Sequence, residues 1–190
     1  MQLSKLMVLA FFGISLVSAN CFALEDSQIT EFMKTANSGE IDAAKLAKKK
    51  ATDSSVKAFA EKMEKEHKEN LDKVKEVAKS EKLKMTSSEE TKKLKKDTQM
   101  KMKDLKKVKK EEFDKAYIGT QVVMHQELLD KLDQTLIPES KNAALKSYLQ
   151  ETRTHVQNHL NDAKGIQSNL TGVTPATTPT GSESGHKETK

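Results

Sequence analysis

The sequence contains one cysteine and no tryptophan among its 190 residues. That cysteine, Cys21, lies in an N-terminal segment that we expect to be removed on export, so the mature chain should form no disulfide, thiolate metal site or cysteine nucleophile. Glycine and proline are also scarce, with seven and three residues. Period-two alternation of β-branched residues is not visible anywhere. These absences predict an all-α domain that is stabilised by a packed core or by a ligand.

Residues 1–23 have the pattern of a signal peptide. Lys5 precedes an apolar run from Leu6 to Val17, which is too short to cross a bilayer comfortably, and small residues follow. Cleavage after Ala19 or Ala23 would suit a signal peptidase, whereas a lipoprotein site at Cys21 fits the flanking residues less well. No second apolar run of spanning length follows in the sequence. We therefore expect an exported protein that is periplasmic or associated with the outer membrane.

Charge is plentiful, since 32% of the residues are charged and the formal net charge is +5. Lysine supplies nearly all of the positive charge, and Arg153 is the only arginine. Proteins that read nucleic acids favour arginine and exposed aromatic residues, so no nucleic-acid binding is expected. The lysine-rich residues 91–110 predict a solvated helix. Weak contact of this face with anionic envelope components is its alternative use.

Four long stretches place apolar residues at helical spacing. They predict helices from about Asp26 to Lys49, Asp53 to Lys79, Phe113 to Leu136 and Ser140 to Leu170. Short turns within each pair make the paired helices antiparallel neighbours. Residues 24–170 are thus predicted to form a four-helix bundle of up-down-up-down topology, with the lysine-rich helix as an extra element before the third core helix. The polar tail, residues 171–190, is expected to be disordered.

Each of the four core helices carries a polar residue on the face that should meet its neighbours. These residues are Glu40, His67, His125 and His159. Carboxylate and imidazole ligands, one from each helix, would suit a single transition-metal ion such as Fe, Zn, Cu or Mn, with Glu64, Gln121 and His155 nearby. The carboxylates on these faces are too few for a di-iron site. In the alternative interpretation, the same residues hydrogen-bond one another as a buried polar layer that fixes helix register.

The heights of the histidines along the bundle count against the metal hypothesis. His125 lies about thirteen residues before Pro138 and His159 about twenty-one after it, which predicts an offset of roughly 10 Å. His155 fits the level better but points less directly inward. The sequence shows no serine-nucleophile motif, glycine-rich phosphate loop or paired catalytic carboxylates, so a hydrolase is not predicted. Oxidase or peroxide-handling chemistry would depend on a bound redox metal.

Four blocks of the sequence resemble the successive blocks of a family of exported bacterial proteins, often labelled outer membrane proteins, whose domain of unknown function is ferritin-like. The blocks are FMKTANSGEIDAAKLA, VKAFAEKMEKEH, FDKAYIGTQVVMHQELLD and RTHVQNHLNDAK. The resemblance covers about residues 24–170 and implies a ferritin-like fold and an exported location, but no reaction. Members usually carry an acidic residue in the first helix and one histidine in each later block, which correspond here to Glu40, His67, His125 and His159. Two departures are Lys110, where the family usually has glycine, and the additional His155.

Overall fold

The structure is a computed structural model that describes residues 23–172. The predicted signal peptide, apart from Ala23, and the predicted tail beyond Gly172 lie outside the described residues. Within them every regular element is a helix, which confirms the all-α prediction. No helix in this part of the chain is both long and apolar enough to cross a membrane.

The helices lie close to the ranges predicted from the sequence. They are α1 (Asp26–Lys50), α2 (Ser54–Ser80), α3 (Glu89–Lys107), α4 (Lys110–Lys131), a π-helical turn (Leu132–Leu136), α5 (Ile137–Glu139) and α6 (Ala143–Thr171). Asp53 caps α2, because its side chain accepts hydrogen bonds from the backbone N–H groups of Ser55 and Val56 at 2.8 and 3.2 Å. Gly172 ends α6 in the left-handed conformation, with φ of 71°.

Hydrogen bonds between the turns show which helix ends lie together. At one end, Asp26 of α1 accepts from the backbone N–H of Asn142, just before α6, at 2.9 Å. The Asn142 amide in turn donates to Glu81, at the end of α2, at 2.7 Å. At the other end, Asp114 near the start of α4 accepts from the backbone N–H groups of Thr52 and Asp53, in the α1–α2 turn, at 3.1 and 2.9 Å. Helices α1 and α6 therefore run in one direction, and α2 and α4 run in the other.

The predicted up-down-up-down topology of the four core helices is wrong, because the second and third core helices, α2 and α4, run in the same direction. Helix α3 begins beside the start of α1, where the Thr86 backbone N–H donates to the carbonyl of Ser27 at 3.0 Å. It ends beside the end of α1, where Lys50 Nζ donates to the carbonyl of Val108 at 2.8 Å. A helix of 19 residues spans about 28 Å, which is most of the length of α1. This crossover carries the chain back to the end of the bundle where α2 begins, so α4 runs parallel to α2.

Helix α3 approaches the backbone of α1 closely at Gly39. A Cβ atom on Gly39 would lie 2.6 Å from the Cγ2 atom of Thr98. The missing side chain at this position thus lets the crossover helix pack closely on the core.

The apolar core is divided into two clusters along the bundle axis. One cluster lies toward the start of α1 and includes Ile29, Met33, Leu132 and Leu149. The other lies toward the end of α1 and includes Ala47, Met63, Phe113 and Ile118. Each core helix places at least one buried polar residue between the two clusters. These residues are Asn37, Glu40, His67, Gln121, His125 and His159. The fold therefore holds a polar layer in the middle of the bundle, shielded by apolar side chains at both ends.

Candidate metal centre

Three histidines from three helices meet in the polar layer. His67 of α2, His125 of α4 and His159 of α6 are exposed by only 4%, 1% and 2%. Their ring centroids are 5.3–5.8 Å apart. Each ring offers one nitrogen such that the three nitrogens lie within 4.8 Å of one another. The arrangement is a compact, water-shielded group of imidazoles.

The predicted height offset of roughly 10 Å between His125 and His159 is absent, since their ring centroids lie 5.3 Å apart. The helix that carries His125 continues beyond Pro138 to Glu139, and α6 begins only at Ala143. His125 then lies about 14 residues from the end of its helical segment and His159 about 16 from the start of its own, a difference of about 3 Å. Pro138 is tolerated because it lies in the first turn of α5, where its missing N–H costs little.

One nitrogen of each ring is held by an acceptor outside the group. His67 Nδ1 lies 2.9 Å from Asn37 Oδ1, His125 Nδ1 lies 2.9 Å from the carbonyl of Gln121, and His159 Nε2 lies 2.6 Å from Glu66 Oε2. The Asn37 amide is oriented by its own donation to the carbonyl of Met33 at 2.8 Å. Amide, carbonyl and carboxylate oxygens accept hydrogen bonds, so each of these ring nitrogens carries the proton and donates.

The second nitrogen of each neutral ring therefore carries a lone pair. These atoms, His67 Nε2, His125 Nε2 and His159 Nδ1, are buried and have no hydrogen-bond partner among residues 23–172. A layer whose members satisfy one another by hydrogen bonds would not leave three acceptors together without a donor. The three buried histidines could therefore hold a metal ion.

Burial favours the neutral form of His67 and His159. It lowers the pKa of His67 well below 6.5, and the neighbouring His125 and His159 add to the effect. Burial also lowers the pKa of His159 to about 4, although the hydrogen bond to Glu66 opposes the shift. Neutral imidazole is the form that binds a metal ion. His67 and His159 are therefore neutral at pH 7, the form in which an imidazole could hold a metal ion.

The spacing of the rings fits a metal ion after a small closure. Tetrahedral zinc binds imidazole nitrogens at about 2.0–2.1 Å, which places the nitrogens about 3.3 Å apart. The observed separations reach at most 4.8 Å, so the rings need to approach by no more than about 1.5 Å. Rotation of the side chains about their own torsions supplies displacements of this size.

The other residues expected near the site lie outside the histidine group. Glu40 lies in the polar layer, but its carboxylate accepts a hydrogen bond from Gln121 Nε2 at 2.9 Å and it is not among the three clustered ligands. Glu64 faces the surface, where it pairs with Lys48 and Lys68. The side chain of His155 is 53% exposed. Gln121 contributes its backbone carbonyl as the acceptor for His125.

Two residues of the site, Asn37 and Glu66, are not predicted from the sequence. Asn37 is the acceptor that orients His67, and its place between Met33 and Glu40 on a buried face is a usable signal. Glu66 lies beside His67 in sequence, but its carboxylate crosses to His159 of α6. This contact depends on how α2 and α6 pack, which no spacing within one helix reveals.

Comparison with known proteins identifies the family of the chain. A family model described as "Domain of unknown function (DUF4142)" matches residues 16–166. The chain belongs to this family. No curated protein and no solved structure matches the chain. The assignment covers almost all of the helical bundle, including each histidine of the group.

The polar layer of this DUF4142 domain extends beyond the histidines toward Tyr117. The hydroxyl of Tyr117 and the Oε1 atom of Gln121 are buried, and neither has a hydrogen-bond partner in the described part of the chain. Burial raises the pKa of Tyr117 well above 10, and the neighbouring Glu40 carboxylate adds to the shift. The Glu40–Gln121 pair links this region to His125 through the backbone of Gln121. Glu40 is therefore connected to His125 only indirectly, through Gln121, and is not a member of the histidine group.

Proposed function

We propose that this DUF4142 protein binds one transition-metal ion through His67 Nε2, His125 Nε2 and His159 Nδ1. The observation that carries the proposal is the convergence of three buried lone pairs without a donor. Ligating histidines in metalloproteins characteristically donate their other ring N–H to a carboxylate, backbone carbonyl or similar acceptor. Here the three rings donate to an amide oxygen, a backbone carbonyl and a carboxylate. The layer thus has the outer partners of a metal centre as well as its ligands.

The chemistry of the ligands narrows the choice of ion. Three neutral imidazoles suit Zn, Cu and Fe(II), whereas Mn prefers carboxylate and water oxygens. The clustered group within residues 23–172 contains no carboxylate, which disfavours a di-iron site of the Glu-x-x-His type. Three protein ligands also leave a fourth position for water or a small ligand, which is typical of catalytic rather than structural zinc sites.

We also propose that the protein is exported and that its helices have a ferritin-like arrangement. Two antiparallel helix pairs joined by one long crossover, here α3, support the ferritin-like topology. The Lys5 start, the apolar run and the small residues before Leu24 support export. A periplasmic or outer-membrane address agrees with a site that uses no cysteine.

The alternative function, in which the lysine-rich face binds an anionic envelope component, has weaker support than metal binding. Four lysines of α3 pair with carboxylates: Lys92, Lys93, Lys101 and Lys107. These pairs neutralise part of the positive face that would attract an anionic envelope component. Because exposed ion pairs contribute little stability, the face resembles an ordinary solvated helix surface.

Calorimetric titration of metal-free protein with Zn²⁺, Cu²⁺ and Co²⁺ tests the proposal. We expect one ion per chain, and we expect His67→Ala, His125→Ala and His159→Ala each to reduce the affinity at least about tenfold by removing a ligand. His155→Ala is the matched control, because it removes an exposed imidazole and should leave the affinity unchanged. Equal binding by the control and by the three variants would refute the site.

A further inference from the structure

A cleft between α2 and α6 connects the surface with two of the three histidines. It has a volume of about 190 Å³, and its lining includes the buried rings of His67 and His159 together with the exposed His155. A water molecule occupies about 30 Å³ in the liquid, so the cleft has room for several. A larger cavity of about 520 Å³ between α1, α3 and α4 is lined by Glu40 and by none of the three histidines.

A metal ion needs a route to the histidine group because the three rings are almost completely buried. A hydrated ion must exchange its waters for protein ligands before it reaches rings that are 4%, 1% and 2% exposed. A metal site therefore needs a route to it, and donor atoms along that route replace the lost waters. The α2–α6 cleft supplies such donors at graded depths.

His155 and Glu66 both line the cleft, and the exposed fraction of the side chain falls from His155 through Glu66 to His159. His155 precedes His159 by four residues, so the two rings lie one helical turn apart on the same side of α6. The side chain of His155 is 53% exposed, and its Nε2 atom lies 3.8 Å from Glu151 Oε1. The carboxylate of Glu66 is 30% exposed and accepts the hydrogen bond from buried His159.

The charges around the cleft leave this path open to a cation. Lys65 and Lys73 line the cleft together with Glu66 and Glu69. Lys73 is held by Glu151 at 2.6 Å, so its charge is balanced. The two carboxylates of the lining offset the two lysines. Outside the lining, the charge of Glu151, which pairs with Lys73, offsets that of Lys62, which lies 4.0 Å from Glu66. Electrostatic repulsion therefore does not close the cleft to a divalent ion.

We propose that the α2–α6 cleft is the uptake route for the metal ion and that His155, with Glu66, forms a transient capture site. The ion binds first at the exposed imidazole and then passes to His159 and His67, one helical turn deeper. The proposal rests on the proposed metal-binding function and adds the path by which the ion arrives. His155 is then neither a final ligand nor a residue of the fold's core.

Rates of zinc binding test this role, because a capture residue changes kinetics without changing equilibrium. Stopped-flow mixing of the metal-free full chain with Zn²⁺ should show association about tenfold slower in His155→Ala than in the unchanged protein. The equilibrium dissociation constant should stay the same, so zinc release to a chelator should slow by the same factor. Asn158→Ala is the matched control, since Asn158 is an exposed residue of the same helix that does not line the cleft.

Each outcome separates the capture site from the metal centre. Unchanged association in His155→Ala, with normal zinc affinity, would overturn the capture site alone. Weaker equilibrium affinity with unchanged association would make His155 a final ligand and would also overturn it. Failure of the unchanged protein to bind zinc would overturn the metal centre itself. Parallel slowing of association and release, absent from Asn158→Ala, is the result that supports the route.

Discussion

Zinc should raise the free energy of unfolding of this protein by about 2.7 kcal/mol when free zinc exceeds the dissociation constant about a hundredfold. In a domain of this size the melting midpoint should rise by roughly 5–10 °C. The reason is that only the folded bundle brings the three ring nitrogens within 4.8 Å of one another, so the ion binds the folded chain in preference to the unfolded one. Thermal unfolding followed by circular dichroism, with and without chelator, measures the increment.

The same experiment on His125→Leu should separate a metal ligand from a structural residue. The substitution should abolish the zinc increment and leave the metal-free protein equally stable or about 1–2 kcal/mol more stable. It removes Nε2, which is buried without a partner, while the Gln121 carbonyl that accepts from Nδ1 keeps its place in the helical ladder of α4. His155→Ala should keep both the increment and the metal-free stability. A loss of about 1–3 kcal/mol in metal-free His125→Leu would instead support the structural layer.

Mild acid should destabilise the metal-free protein. The pKa values of His67 and His159 are lowered in the folded state, the latter to about 4. Below about pH 6.5 the unfolded chain therefore binds protons that the folded chain does not bind. Above this pH the two histidines cost no stability. As the pH falls below it, the free energy of unfolding decreases by roughly 1.4 kcal/mol per pH unit for each histidine that stays neutral in the folded chain. The two histidines together should cost roughly 4 kcal/mol at pH 5.

Urea unfolding at pH 7.5, 6 and 5 in the presence of chelator tests this dependence, with these pH values chosen about the ordinary histidine pKa of roughly 6.5. Carboxylates such as Glu64, whose pKa is lowered to about 2 by Lys68 and Lys48, lose their contribution mainly below about pH 4.5, outside this window. The double variant His67→Leu/His159→Leu should show a nearly flat profile from pH 7.5 to about 5, whereas His155→Ala should keep the slope. A slope that survives in the double variant would assign the acid sensitivity to other groups.

The helices and the buried histidines can be predicted from the sequence because both depend on local periodicity. Apolar residues such as Met63, Leu132 and Leu149 recur at helical spacing, and each histidine of the group interrupts such a face. Burial follows from membership of that face, so the spacing alone predicts that His67, His125 and His159 lie in the core. The folded chain buries all three.

The topology and the assembly of the site depend on features that periodicity does not contain. The length of α3 reverses the direction of α4, and the helical segment that continues past Pro138 brings His125 to the level of His159. The helical spacing groups Glu40 with the histidines because Glu40 lies at a similar position along the bundle axis. However, the fold pairs it with Gln121. The acceptors Asn37 and Glu66 belong to other helices than the rings they orient, so the spacing within one helix does not reveal which ring each acceptor contacts.

X-ray absorption of the protein loaded with one equivalent of zinc tests the central claim most directly. The account predicts a first shell of about four light atoms, three of them imidazole nitrogens at about 2.0–2.1 Å, with the outer-shell scattering of three rings. His125→Ala should lose one imidazole from that pattern. A shell of oxygens with one imidazole or none, unchanged in His125→Ala, would contradict the account and leave the three buried histidines without a metal.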